Sequence, residues 1–271
     1  MPYLGKKRGQ QLSALPNLDQ QSLGLGVLSI ERRAFTPAQT KENSMKIYDR
    51  PGFPNPMRIR IVLAQKGLDS EIDFVPVDLI AAEHKQPAFL AKNPSGVLPV
   101  LELGDGTLIS ESTAITEYLD NLDGKPELTG RTPKEKALIH MMQRRAEAYV
   151  LDPVGIYFHH ATPGLGAALQ AFKSPQWLGR TEMGEREGEK AKEGLRYFNE
   201  ILGKQAFLTG EAYSMADITL LAGLAFAEVA GIVPSGLDAL TQWQARMADL
   251  PAVKNRSGQN FLPEDLKRLG F

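Results

Sequence analysis

The apolar positions along the chain keep two rhythms. Between residues 45 and 124, short alternating runs are interleaved with segments whose apolar residues recur every three to four positions. "KIYD" reads as a strand. A helix is then predicted from about Pro56 to Lys66, with Asn55 as its N-cap, Pro56 at the first helical position and Gly67 ending it. "EIDFVPVDL", with Ile72, Phe74, Val75 and Val77, reads as a second strand, and "HKQPAFLAKNPSG" as a short helix running into a turn. "VLPVLEL" and "GTLIS" form two strands joined at Gly104-Asp105-Gly106, a hairpin signal. In "ESTAITEYLDNL", Ala114, Ile115, Tyr118, Leu119 and Leu122 fall at helical spacing. The predicted order is β-α-β-α-β-β-α.

After the Gly-, Pro- and charge-rich "DGKPELTGRTPKEK" everything reads helical. Thr132-Pro133 starts a long helix expected to break or bend near Pro153-Val154-Gly155, and "ATPGLG" stops the next stretch at Pro163, Gly164 and Gly166. "GEREGEKAKEGLRYFNEIL" buries Leu195, Phe198, Ile201 and Leu202 beneath a charged face. "SMADITLLAGLAFAEVAG" is apolar nearly all round, a buried central helix opened by a capping box of Ser214 and Asp217. The fold class is therefore a small α/β domain followed by an all-α domain. The expected boundaries are an extension over 1–44, an α/β domain over 45–124, a linker over 125–131, a helical domain over 132–256 and a tail over 257–271. Residues 1–44 are expected to be disordered, with Met45 beginning the folded part. The competing reading is a targeting presequence, because "GKKRGQQLSALPNL" is basic. The tail either folds over a cleft or hangs loose.

Composition narrows the chemistry. A chain that is 42% hydrophobic and 23% charged, with net charge −1, is an ordinary globular protein. It carries no dense basic run in its body, so nucleic acid is not expected as its main partner. No apolar run approaches the roughly 20 residues of a membrane span. Cysteine is absent, which excludes disulfides, thiolate zinc sites and a cysteine nucleophile. No metal is expected at His159-His160 either, since two ligands on one helix normally sit three or four apart.

Two stretches suggest a ligand. In "NPSGVLPVLEL", Pro99 stands at the mouth of a strand and cannot donate to the ladder. A cis Leu98–Pro99 bond would turn the Leu98 backbone outward, where an extended peptide-like ligand can pair with it; otherwise this is an edge-strand proline. In "ISESTAITEYL", Ser112 opens a helix after a strand, a site for a carboxylate, and Glu111 suits an ammonium group. Alone the pair is an ordinary helix start. With Pro99 and the β-α-β order, it suits the α-amino-acid end of a ligand.

The segment from Met45 to about Asn255 resembles the glutathione transferases. "GVLPVLE" and "DGTLISESTAITEYLD" match their glutathione-binding signature, "AEHKQPAFLAKNPSG" is similar to phi-like members, and "IYFHHATPGLG" is similar to fungal cytosolic members of the phi-like or theta-like kind. The resemblance implies a thioredoxin-like N-terminal domain, a helical C-terminal domain, glutathione as co-substrate and a homodimer. It also implies a cytoplasmic location, or a mitochondrial one if residues 1–44 act as a presequence. The implied activity is conjugation of glutathione to small hydrophobic electrophiles, with glutathione-dependent peroxide reduction beside it. By position, Val97, Leu98 and Pro99 would meet the cysteinyl part, Glu111 and Ser112 the γ-glutamyl end, and His84 with Lys85 the glycyl carboxylate.

One position departs from the family pattern. Where members carry Ser, Cys or Tyr to hold the thiolate, this chain has Phe53. Lowering a thiol pKa by about two units takes only about 2.7 kcal/mol. Two candidate sources are the helix expected to start at Asn55 and the imidazole of His159, acting directly or through a water. Gly155, one turn before His159, leaves a two-residue water clamp incomplete. Three functions therefore compete: a transferase, a binding protein of the same fold without catalysis, and an interaction domain. The retained Glu111-Ser112 pair argues against the third.

Overall fold

The computed structural model describes residues 44–173 and 179–269. The chain separates into two units, 1–37 and 38–271, and every described residue lies in the second. The reading of residues 1–44 as an extension thus lies outside the described residues, Ser44 excepted.

Four strands form one sheet in the order β2-β1-β3-β4: β1 Met45–Asp49, β2 Ile72–Pro76, β3 Val100–Glu102 and β4 Leu108–Ser110. β1 runs parallel to β2 and antiparallel to β3, with Ile47 opposite Phe74 on one side and Leu101 on the other. The β3–β4 hairpin closes around Gly106, whose φ of 83° suits a residue without a side chain. Side chains alternate across the sheet. Ile47 enters the main core, while Tyr48 joins a smaller apolar cluster with Phe53, Val77, Leu79, Phe89, Leu98 and Val100.

Helix α1 (Pro54–Lys66) links β1 to β2, the short α2 (Pro87–Leu90) precedes β3, and α1 packs on α3 (Ser112–Asn121). It also packs on α8 (Met215–Val229), so the main core is continuous. Ile59, Leu63, Leu101 and Leu119 share that core with Val150, Phe198, Ile218 and Trp243. The capping box that opens α8 is present and buried: Asp217 Oδ2 accepts from the Ser214 N–H at 3.0 Å. Its other oxygen accepts from Leu208 N at 2.9 Å and Trp243 Nε1 at 3.1 Å. Burial pushes the Asp217 carboxyl up to about 6.

The long helix after Thr132 does not break at Pro153-Gly155. Helix α4 (Pro133–Ala146) passes through a π-helical turn, Glu147–Leu151, into α5 (Asp152–Ala161). Pro153 has no N–H to offer the Tyr149 carbonyl four residues back, so the ladder is relieved one turn earlier than the sequence suggests. Past the short α6 (Ala167–Gln170), that carbonyl is accommodated by α7 (Thr181–Leu202), where a Cβ on Gly194 would lie 2.2 Å from the Tyr149 oxygen. Helix α7 buries Leu195, Phe198 and Leu202, whereas Ile201 is only half-buried. After α9 (Asp238–Asp249), the tail ends in the short helix Pro263–Leu269, docked beside the β1–α1 turn.

Candidate functional site

Strand register fixes where the candidate residues meet. Tyr48 of β1 pairs with Val100 of β3, and Val100 pairs with Ser110 of β4. The exit of β1, the entry of β3 and the exit of β4 therefore lie at one end of the sheet. That end carries the β1–α1 turn with Phe53, the Val97-Leu98-Pro99 segment, and Glu111 with Ser112.

At the first of these, α1 begins at Pro54, and Phe53 is its N-cap in extended conformation, φ −82° and ψ 150°. This corrects the expected cap: Asn55 is the second residue of the helix. The cause is Pro54, which fits the first helical turn as well as Pro56 does and holds the residue before it extended. A helix start leaves four N–H groups without intrahelical acceptors. Here Pro54 and Pro56 supply none, and Met57 N already bonds to Phe53 O at 2.9 Å. The backbone donors are those of Phe53 and Asn55.

The Asn55 side chain is held from below. Its Oδ1 accepts from Arg58 Nη1 at 3.1 Å, which orients the amide. Arg58 is itself buried and donates to Thr113 Oγ1 at 3.2 Å and Glu147 Oε1 at 3.1 Å. Gln143 joins both acceptors and receives the Thr219 hydroxyl. This polar chain ties α1, α3, the π-helical turn and α8 together beneath the sheet end. Desolvation lowers the Arg58 pKa, against the pull of Glu147.

The Leu98–Pro99 bond is cis, and the β1–β3 ladder begins only at Val100, so the Leu98 backbone stands outside the sheet. Leu98 is buried and Val97 exposed, its carbonyl held by Asn93 Nδ2 at 3.0 Å. Glu111, the N-cap of α3, sits at φ 71° and ψ 116°, a region that costs a residue other than Gly of order 1–3 kcal/mol. Ser112 is the first residue of that helix and is buried.

His84 and Lys85 sit on a 3₁₀ turn, Glu83–Lys85. Lys85 Nζ donates to the Gly96 carbonyl at 2.6 Å, and desolvation lowers its pKa. His84 is buried, and its Nδ1 has no hydrogen-bond partner. Burial, then Lys85 and His159, depress the His84 pKa to about 4. His159, in the last turn of α5, is depressed to about 4 by burial first, then by Lys173, His160 and Lys85. The Lys85 ammonium thus acts on both imidazoles, while Tyr157 and His160 lie against Gly188 and Gly184 of α7. Gly155 faces Phe226 of α8, 3.7 Å from where its Cβ would be. Among the described residues no group of His, Asp and Glu is placed to hold a metal, and no helix is long and apolar enough to cross a membrane.

The profile described as "Glutathione S-transferase, N-terminal domain" matches residues 43–121, and "Glutathione S-transferase, C-terminal domain" matches 162–251. The chain is 49% identical to Glutathione S-transferase 2 of Saccharomyces cerevisiae over 81% of its own length and 92% of that protein. The chain belongs to the glutathione S-transferase family. It is also 34% identical to a Maleylacetoacetate isomerase of Pseudomonas aeruginosa, over 77% of this chain and 92% of that one. The crystal structure of Gtt2 from Saccharomyces cerevisiae superposes with a TM-score of 0.72 at 51% identity, covering 78% of this chain and 99% of that one. The family's two-part fold is thus the fold observed.

Three members of this site were not read from the sequence. Arg58 and Glu147 look like exposed charges on helices, and only the fold buries Arg58 and brings the half-buried Glu147 to it. Phe261, which stacks edge-on against Phe53 with ring centres 5.0 Å apart, lies in a tail whose pattern carries no such signal.

Proposed function

We propose that this member of the glutathione S-transferase family activates the thiol of glutathione and transfers it to small hydrophobic electrophiles. The observation that carries the reading is the register-fixed convergence, at one sheet end, of the α1 N-terminus, the Leu98 backbone and the Glu111-Ser112 helix start. Leu98 pairs with the cysteinyl backbone, with Val97 and Pro99 shaping that edge. Glu111 and Ser112 take the ammonium and carboxylate of the γ-glutamyl end. His84 and Lys85 take the glycyl carboxylate, an anion suited to the Lys85 ammonium, which also acts on His159.

The thiolate lies at the start of α1. The Asn55 amide, the Phe53 and Asn55 N–H groups and the positive end of the helix dipole hold it. His159, neutral at pH 7, donates its ring N–H to the thiolate directly or through a water, which favours the ionised sulfur. The sulfur then attacks the electrophilic carbon, a C–S bond forms, and the leaving group departs with its electron pair. With a hydroperoxide the thiolate attacks the terminal oxygen, the O–O bond breaks and the alcohol leaves; the sulfenic acid formed on glutathione then condenses with a second glutathione to give the disulfide and water. The protein is further proposed to act as a cytoplasmic homodimer, which light scattering and fractionation test.

The direct assay is glutathione-dependent turnover of an aryl halide and of a hydroperoxide. Saturable turnover supports the proposal. Tight glutathione binding without turnover of either substrate would return the chain to the binding-only reading that Phe53 invites.

A further inference from the structure

The C-terminal strap is clasped to the turn that opens the glutathione site. Arg50 Nε and Nη2 donate to the two oxygens of Asp265 at 2.7 and 2.6 Å, and Asp265 is fully buried. Arg268 Nη1 donates to Asp78, just past the end of β2, at 2.7 Å. Between these anchors and α1, the Gly52 N–H donates to the Gly258 carbonyl at 3.3 Å, and Arg60 donates to Ser257 Oγ at 2.9 Å. The fit leaves no slack: a Cβ on Gly52 would lie 2.6 Å from the Phe261 backbone, and one on Gly258 would lie 2.5 Å from Arg60. Both glycines also sit at positive φ, 83° and 63°, so neither accepts a side chain without strain.

Phe53 is thereby caught between two demands. As the N-cap of α1 it stands at the positive end of the helix, where a small anion would sit, yet its side chain caps nothing. Its ring is buried instead, edge-on to Phe261, in the cluster that also holds Leu98 and borders Leu165 from the helical half. We propose that Phe261 is a positioning residue, which parks the Phe53 ring on the strap side of the turn and so keeps the start of α1 open for the cysteinyl thiol. A site whose helix start carries a bulky aromatic cap thus depends on a residue 208 positions away. The inference rests on the glutathione reading above and specifies what keeps that site open.

Suppression tests it. Glutathione binding is measured calorimetrically for the full chain and for Phe261→Ala, Phe261→Leu, Phe53→Ala and the double variant Phe53→Ala/Phe261→Ala, with thermal midpoints alongside. Phe261→Ala frees the Phe53 ring and is expected to weaken glutathione binding roughly tenfold, the upper range of what an aromatic pair contributes. Phe261→Leu, which keeps an apolar stop, is expected to lose less. The deciding outcome is the double variant, which removes the ring that obstructs and recovers most of the lost affinity even though it is no more stable. Loss of affinity that tracks the thermal midpoint, with no recovery in the double variant, makes the strap merely structural and overturns the proposal. So does unchanged affinity in Phe261→Ala. Absence of glutathione binding by the unaltered chain is a different failure, that of the functional reading itself.

Discussion

Glu147→Gln is a sharp test of how the site is supported. Arg58 is 6% exposed at its side chain and Glu147 21%, and their charged atoms are 3.1 Å apart. At an effective dielectric of about 20, that separation is worth about 5 kcal/mol of Coulomb attraction. Glutamine retains an oxygen for Arg58, Thr113 and Gln143 but removes the charge, leaving a buried guanidinium without its nearest counter-ion. Asp152 and Glu111 still act on Arg58 at longer range, so the expected loss is about 2–4 kcal/mol rather than the full attraction. For a chain of this size that is roughly 5–15 °C in the thermal midpoint. The assay is urea unfolding of Arg58→Met, Glu147→Leu and the double variant, beside Glu147→Gln. The account predicts a coupling energy of at least about 2 kcal/mol, with the double variant close to the better single one. Coupling below about 0.5 kcal/mol would show that water screens the pair as at a surface and that it does not brace Asn55.

Other outcomes follow from single contacts. Gly194→Ala puts a methyl group into the Tyr149 carbonyl, where only backbone could yield, and is expected to cost at least about 2 kcal/mol in urea unfolding. Gly155→Ala, 3.7 Å from the Phe226 ring, should be neutral or stabilising by up to about 1 kcal/mol. Asp217→Ala strips the acceptor from the Leu208 and Ser214 N–H groups and from Trp243 Nε1, with an expected loss on the order of 4 kcal/mol by the same assay. His84 and His159 are held near 4 in the fold against 6.5 in the unfolded chain, so the unfolded chain binds more protons below pH 6.5. Their contribution to stability is thus present above pH 6.5 and lost as pH falls toward 4. The double variant His84→Gln/His159→Gln should show a shallower fall in urea midpoint between pH 6.5 and pH 5, and an equally steep one would refute the shifts.

What was legible in the sequence was what is local. The β3–β4 hairpin announces itself at Gly104-Asp105-Gly106, and the Ser214-Asp217 capping box lies within four residues. The start of α1 was misplaced because Pro54 and Pro56 satisfy the same rule, and only the folded turn shows which one the helix uses. The π-helical turn was invisible because its relief lies across the core at Gly194. Glu111 offers no glycine to betray its positive φ; packing imposes it. The Arg50–Asp265 clasp joins residues 215 apart, beyond any periodic signal, which is why the tail's place could not be read.

The central claim is the proposal that the start of α1 and the His159 imidazole activate a thiol where the usual hydroxyl or thiol side chain is replaced by Phe53. Its most direct test is the thiolate absorbance of glutathione-saturated protein against pH, for the unaltered chain, Asn55→Ala and His159→Ala. The account predicts a bound thiol about two units below the free value of about 8.5, restored at least halfway by one of the two substitutions. A bound thiol that titrates like free glutathione would contradict it, and would make this a site that holds the tripeptide without activating it.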